Sequence, residues 1–160
     1  QYIMIKLVSL SLLLFTSITF SINAQSLNGD KVALANFVKR MYNNSPFEAS
    51  KVIEDVDAKY FITVLSLEKA KYTSQSTMNR VAQVKAQSQA NTFFNGSTVS
   101  SEMIIKTTET KSKDDNKSTI EAIETIKENS AGFVNSLELL SNFEIEDGKR
   151  MLFIFYREVK

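Results

Sequence analysis

The sequence predicts an α+β fold: an antiparallel sheet of about four to six strands, one long helix packed on it and an additional N-terminal helix, after a cleavable signal peptide. Three observations predict it. The run Tyr60-Phe61-Ile62-Thr63-Val64-Leu65-Ser66-Leu67 is rich in the aromatic and β-branched residues that fill strands. From residue 73 to 95 the apolar period becomes helical, with Met78, Val81, Ala82, Ala86, Ala90, Phe93 and Phe94 along one side and Gln, Lys and Asn on the other. The terminal stretch Met151-Leu152-Phe153-Ile154-Phe155-Tyr156 is apolar on both faces, which places it in the centre of a sheet.

The first element is an address. Lys6 precedes an apolar run over residues 7–20, and Ser21-Ile22-Asn23-Ala24 then leads into Gln25-Ser26, the tripartite pattern of a secretory signal cut between Ala24 and Gln25. A retained membrane anchor is the alternative, but the run is shorter than the roughly 20 residues a span needs and is interrupted by Ser9, Ser11, Thr16, Ser17 and Thr19. Removing the first 24 of the 160 residues leaves 136, the size of one domain, so the expected division is signal peptide 1–24 and a single α+β domain 25–160. Lys6 is the one charge in the leader, so 18 basic and 18 acidic side chains remain. A balanced, interspersed charge argues against a nucleic-acid partner and favours self-association.

After the leader, Asp30 is placed to cap a helix over residues 31–42, where Leu34, Phe37, Val38 and Met41 share one face. This helix reads either as a docking arm or as an extra core element. Residues 51–57 read as a strand, with a helical turn opened by Ser45, Pro46 and Glu48 as the competing reading. Asp57-Ala58-Lys59 would turn it into the next strand. Alanines along the long helix suit close approach to a sheet, and Gly96 is available as its left-handed C-cap. Residues 98–111 and 120–128 are expected to form a hairpin across a polar tip, although Ile120, Ile123 and Lys127 also share a helical face. Two last strands, 133–144 and 150–158, flank Glu146-Asp147-Gly148-Lys149, in which Asp-Gly favours a type I′ turn.

The alanine-spaced helix ending in Gly96-Ser97-Thr98-Val99-Ser100-Ser101, the polar hairpin, the stretch Ser130-Ala131-Gly132-Phe133-Val134-Asn135-Ser136-Leu137-Glu138-Leu139-Leu140, and Glu146-Asp147-Gly148 before a terminal strand resemble a bacterial envelope family. This is the small outer-membrane lipoprotein domain that also forms the N-terminal module of a flagellar outer-membrane-ring assembly protein. The resemblance runs from about Tyr60 to Val159. It implies a helix on an antiparallel sheet, residence in the periplasm or at the outer membrane, and a scaffolding role without catalysis. The chain departs from it in having no lipid-bearing cysteine.

Chemistry is constrained by what is missing. Without His or Cys, Ser-His and Cys-His nucleophile pairs, disulfides and thiolate metal sites are excluded, and zinc is left without its preferred ligands. Three acidic groups remain: Glu54, Asp55 and Asp57, which offer oxygen ligands for Ca²⁺ but lack calcium-loop spacing; Asp114-Asp115-Asn116, a hydrated tip; and Glu144, Glu146 and Asp147, turn residues. Tyr60, Tyr72 and Tyr156 invite a ligand-platform reading, against which core packing stands. No catalytic residue, cofactor or metal is therefore expected. The sequence points to an exported, non-catalytic interaction domain with envelope proteins or its own copies as partners and no stable membrane span once the signal is cut. The alternative is a small-ligand carrier with an apolar cavity between helix and sheet, lined by Phe93, Phe94, Phe153 and Phe155; a carboxylate-based hydrolase stands behind both.

Overall fold

The computed structural model describes residues 27, 29–56, 58–96, 98, 100–107 and 116–160. The signal segment with its cleavage residues Ala24 and Gln25, and the acids Asp57, Asp114 and Asp115, lie outside the described residues. The described chain runs α1 (Lys31–Asn44), β1 (Ser50–Glu54), β2 (Lys59–Glu68), α2 (Gln75–Gly96), β3 (Ile104–Lys106), α3 (Asn116–Glu128), α4 (Ser130–Asn135), β4 (Glu138–Ile145) and β5 (Arg150–Val159). The five strands make one sheet in the order β3-β1-β2-β5-β4.

The class is α+β, but the sheet is mixed. β1-β2, β2-β5 and β5-β4 are antiparallel, whereas β3 runs parallel to β1 through Val52↔Ile104, Ile53↔Ile105 and Glu54↔Lys106. The expected hairpin from residue 98 onward is thus replaced by a three-residue edge strand, and its second half is helix α3. Helical spacing decides that segment: Thr119 and Ile123 are buried on one face, with Ile120 and Ile126 packed beside them, while Glu121, Glu124 and Thr125 stay outside. The strand expected from residue 133 begins at Glu138 instead, because α4 carries Phe133 onto Phe61 and Phe94 and buries Val134.

β2 and β5 pair over ten residues, from Lys59↔Val159 to Glu68↔Arg150, and form the centre of the sheet. Both faces are covered. On one, Ile53, Tyr60, Ile62, Val64, Leu152, Ile154 and Tyr156 meet Leu34 and Val38 of α1; on the other, Val52, Phe61, Leu65, Phe153 and Phe155 meet α2 and the two short helices. This sandwiching explains why the central strands lack an apolar-polar alternation. It also settles α1 as a core element, since burying Leu34 and Val38 contributes about 1.5–3 kcal/mol each before entropy is counted.

Local signals are mostly obeyed. The Asp30 carboxylate accepts the Val32 N–H at 2.8 Å and caps α1. Residues 50–54 are strand, and Glu48 opens no helical turn: its carboxylate accepts the Ser66 N–H at 3.0 Å and also binds the Ser66 hydroxyl and the Arg150 guanidinium. Glu146, Asp147 and Gly148 all have positive φ, and the Lys149 N–H returns to the Glu146 carbonyl at 3.1 Å, so the Asp-Gly turn forms with one further left-handed residue before it. Gly96, by contrast, is the last helical residue of α2 and does not take the left-handed conformation of a C-cap.

Candidate functional site

A cleft of about 710 Å³ opens where β5 finishes and β4 begins. Lys31 of α1, Tyr60 of β2, Phe133 of α4, Glu138 of β4 and Tyr156 and Arg157 of β5 are among the residues around it. Gly29, at φ +71°, lets the chain turn into α1, and the Asp30 cap then fixes where Lys31 starts. Lys31 Nζ lies 2.9 Å from the Glu138 carboxylate and 5.2 Å above the centre of the Tyr156 ring. The Tyr156 hydroxyl donates to the same carboxylate at 3.3 Å. On the opposite side Arg157 stacks 4.9 Å from the Phe133 ring and donates to the carbonyls of Gly132 and Phe133.

Titration is displaced here by the contacts within the cleft. The Tyr156 hydroxyl and then the Glu138 carboxylate hold Lys31 charged to higher pH than an ordinary lysine, and the Lys31 hydrogen bond holds Glu138 below the usual carboxylate range. Burial pushes the Tyr60 phenol up, and the Gly29 N–H offsets part of that. The cleft is built to hold charge and aromatic surface in place.

Among the described residues, Glu54, Asp55, Glu144 and Glu146 of the acids singled out in the sequence are each engaged by separate partners. Glu54 accepts the Thr119 hydroxyl at 2.6 Å, while Asp55 accepts the Leu27 N–H at 2.7 Å and the Thr107 hydroxyl at 2.5 Å. Glu144 pairs with Lys69, and Glu146 lies 3.7 Å from Arg150 Nε. Among the described residues no group of three such side chains is placed to hold a metal ion. Tyr60 and Tyr156 come together at the cleft, whereas Tyr72 packs against the other face of the sheet. The phenylalanines proposed as a cavity lining instead pack as core: the Phe61 ring lies 5.3 Å from Phe93 and 5.0 Å from Phe94, and Phe153 and Phe155 stack with each other.

A second surface is the outer side of α2. Ala82, Ala86 and Ala90 are fully buried against the sheet, so Val84, Ser88, Asn91, Thr92 and Asn95 point away from it. Val84 is 65% exposed. Lys85 is the one charged residue between positions 81 and 96, in a chain of which 23% of residues are charged. Solvated helix faces usually carry charge, and interface centres are depleted of it. Sequence reading identified the buried side of this helix and passed over the uncharged one, for which the scarcity of charge was the available signal. The Lys31–Glu138 pair had no such signal, since its members are 107 residues apart.

No helix among the described residues is long and apolar enough to cross a membrane. Comparison with known proteins adds no relative: no family model matches the chain, no curated protein matches it in sequence, and no solved structure matches its fold.

Proposed function

We propose that this protein is a non-catalytic interaction domain that acts outside the cytoplasm, in the periplasm or at the outer membrane of a bacterial envelope. The uncharged outer face of α2, with Val84 exposed at its middle, carries the reading. Export is supported by the leader ahead of Ala24 and Gln25. The resemblance to small outer-membrane lipoprotein domains agrees with that compartment. The absence of His and Cys, together with carboxylates engaged by hydroxyl, amide and basic groups, supports a role without chemistry.

The edge of β4 is the competing docking surface, and it is poorly suited to strand addition. It carries a register shift between Leu139 and Ser141 and acidic side chains at Glu138 and Glu144, features that block edge pairing. A photocrosslinking residue at position 88, introduced in the native envelope, is expected to give specific protein adducts. Recovery of the uncrosslinked chain alone, under conditions that capture known envelope complexes, overturns the proposal.

A further inference from the structure

We infer that the cleft at the end of β5 binds an extended peptide segment bearing a carboxylate, laid beside Glu158 along the line on which β4 stops. The site is separate from the outer face of α2 and rests on different observations. β4 pairs with β5 only as far as Glu138↔Tyr156, whereas β5 runs on to Val159. Before Glu138 the chain turns away into α4. Which backbone groups this leaves open follows from the neighbouring strand. The Val64 N–H donates to the Ala49 carbonyl and the Ser66 N–H to Glu48, so the even-numbered residues of β2 direct their backbone groups toward β1. The odd-numbered ones face β5, and the pairs Lys59↔Val159 and Phe61↔Arg157 take up the backbone of Val159 and Arg157. Glu158, between them, therefore turns its N–H and carbonyl to the side that β4 has left. No described strand lies there, and among the described residues no backbone hydrogen bond from outside the strands reaches it.

An open N–H and carbonyl on one residue are matched by the carbonyl and N–H of one residue of an added strand. The cleft of about 710 Å³ gives that strand room. Its side chains alternate to the two sides. On one they meet Leu34 and Tyr60, and on the other Ile126 and Phe133. Charge differs between those sides. Lys31 is already held by Glu138, and the Glu158 carboxylate shares the face of its cross-strand partner Tyr60. Arg157 lies on the opposite face, stacked on Phe133, and both of its hydrogen bonds leave from Nη1, to the carbonyls of Gly132 and Phe133. Among the described residues no acid forms an ion pair with it. Nη2 and Nε are thus left for a planar carboxylate, and the Phe133 ring keeps the guanidinium fork in orientation. A cationic peptide would meet this side already positive.

The probe is a synthetic library of acetylated hexapeptides with free C-terminal carboxylates, screened against the full chain. Selected peptides are expected to shift the Glu158 amide signal and slow its hydrogen exchange, leaving the outer face of α2 unmoved. Arg157→Gln should weaken them about tenfold or more with the melting temperature held, and Arg157→Lys should restore only part, since an ammonium lacks the fork. N-methylating the peptide residue that faces Glu158 tests the backbone pairing on the unaltered protein and should remove the exchange protection. Amidating the C-terminus sorts the source of the carboxylate: lost binding assigns the chain end, and retained binding assigns an acidic side chain. No protection of Glu158 at millimolar peptide, binding unchanged by Arg157→Gln, or binding unchanged by N-methylation overturns the proposal. The α2 face takes no part in these measurements, so failure here leaves its interaction role as it stands.

Discussion

The Asp55 carboxylate accepts the backbone N–H of Leu27 at 2.7 Å, joining a residue four positions before the first helix to the residue that follows β1. The same carboxylate takes the Thr107 hydroxyl, which follows β3. One buried acid therefore ties three segments that are distant in sequence, and its charge is tolerated because donors surround it.

Removing that acid exposes its role. Asp55→Ala leaves the Leu27 amide and the Thr107 hydroxyl without their acceptor, and hydrogen bonds to a charged group contribute about 1.5–3 kcal/mol each. A loss of at least about 3 kcal/mol is expected in urea unfolding at pH 7, with Asp55→Asn losing less because its amide oxygen still accepts one of the two bonds. A change within error at Asp55→Ala contradicts this account.

Close approach of α2 to the sheet sets a second expectation. Ala86 is fully buried beneath the helix, and Ala86→Leu should destabilise by about 1–3 kcal/mol through overpacking. Lys85→Ala, one residue along and exposed, should stay within about 0.5 kcal/mol. Thermal melts of the two variants in parallel give the comparison.

The β4-β5 turn depends on Gly148, whose φ of +81° is left-handed and whose added Cβ would sit 3.1 Å from the Glu144 carboxylate. Gly148→Ala should cost about 1–2 kcal/mol. The melting temperature is expected to fall by about 2–8 °C, while the far-ultraviolet spectrum of the cold protein is unchanged.

Stability should also respond to pH at both ends. Glu138 titrates below its ordinary value of 4.5, so its contribution is complete above that value and disappears as pH falls through the folded value. The pair is solvent-exposed, so the effect is small, and Glu138→Gln should shrink the gap between melting temperatures at pH 7 and pH 3. Burial raises Tyr60 above 10.0, so its contribution is present below pH 10 and declines as pH climbs toward its folded value. Phenolate absorbance should show a late-ionising component, to which Tyr42, also raised by burial, contributes, and Tyr60→Phe should reduce its amplitude.

Legibility in the sequence followed locality. The Asp30 cap, the strand at 60–67, the alanine-lined helix, the Asp-Gly turn and the central last strand are each written in neighbouring residues, and each is present. Segment 116–135 was misjudged because Ile120 and Ile123 at three-residue spacing belong to helix α3, while Phe133 and Val134 resemble strand residues until Phe61 and Phe94 pull them into a helix on the sheet. The parallel β3 edge is set by Val52 and Ile53, about fifty residues earlier, and no local pattern encodes it. The cleft suffers likewise, for Lys31, Glu138 and Tyr156 meet only once the sheet is closed.

The ten-residue pairing of β2 with β5 has a kinetic consequence. Its partners stand at Lys59 and Val159 at one end and at Glu68 and Arg150 at the other, so the central ladder closes one of the largest loops the described chain contains. Pairings of such separation are slow to form because chain closure must precede the contacts that reward it. One side of the ladder, β5, is made after every other described strand, so the core cannot close before residues 150–159 have been added. A chain lacking β5 would leave one whole edge of β2 unpaired over ten residues, so it should fail to close its core.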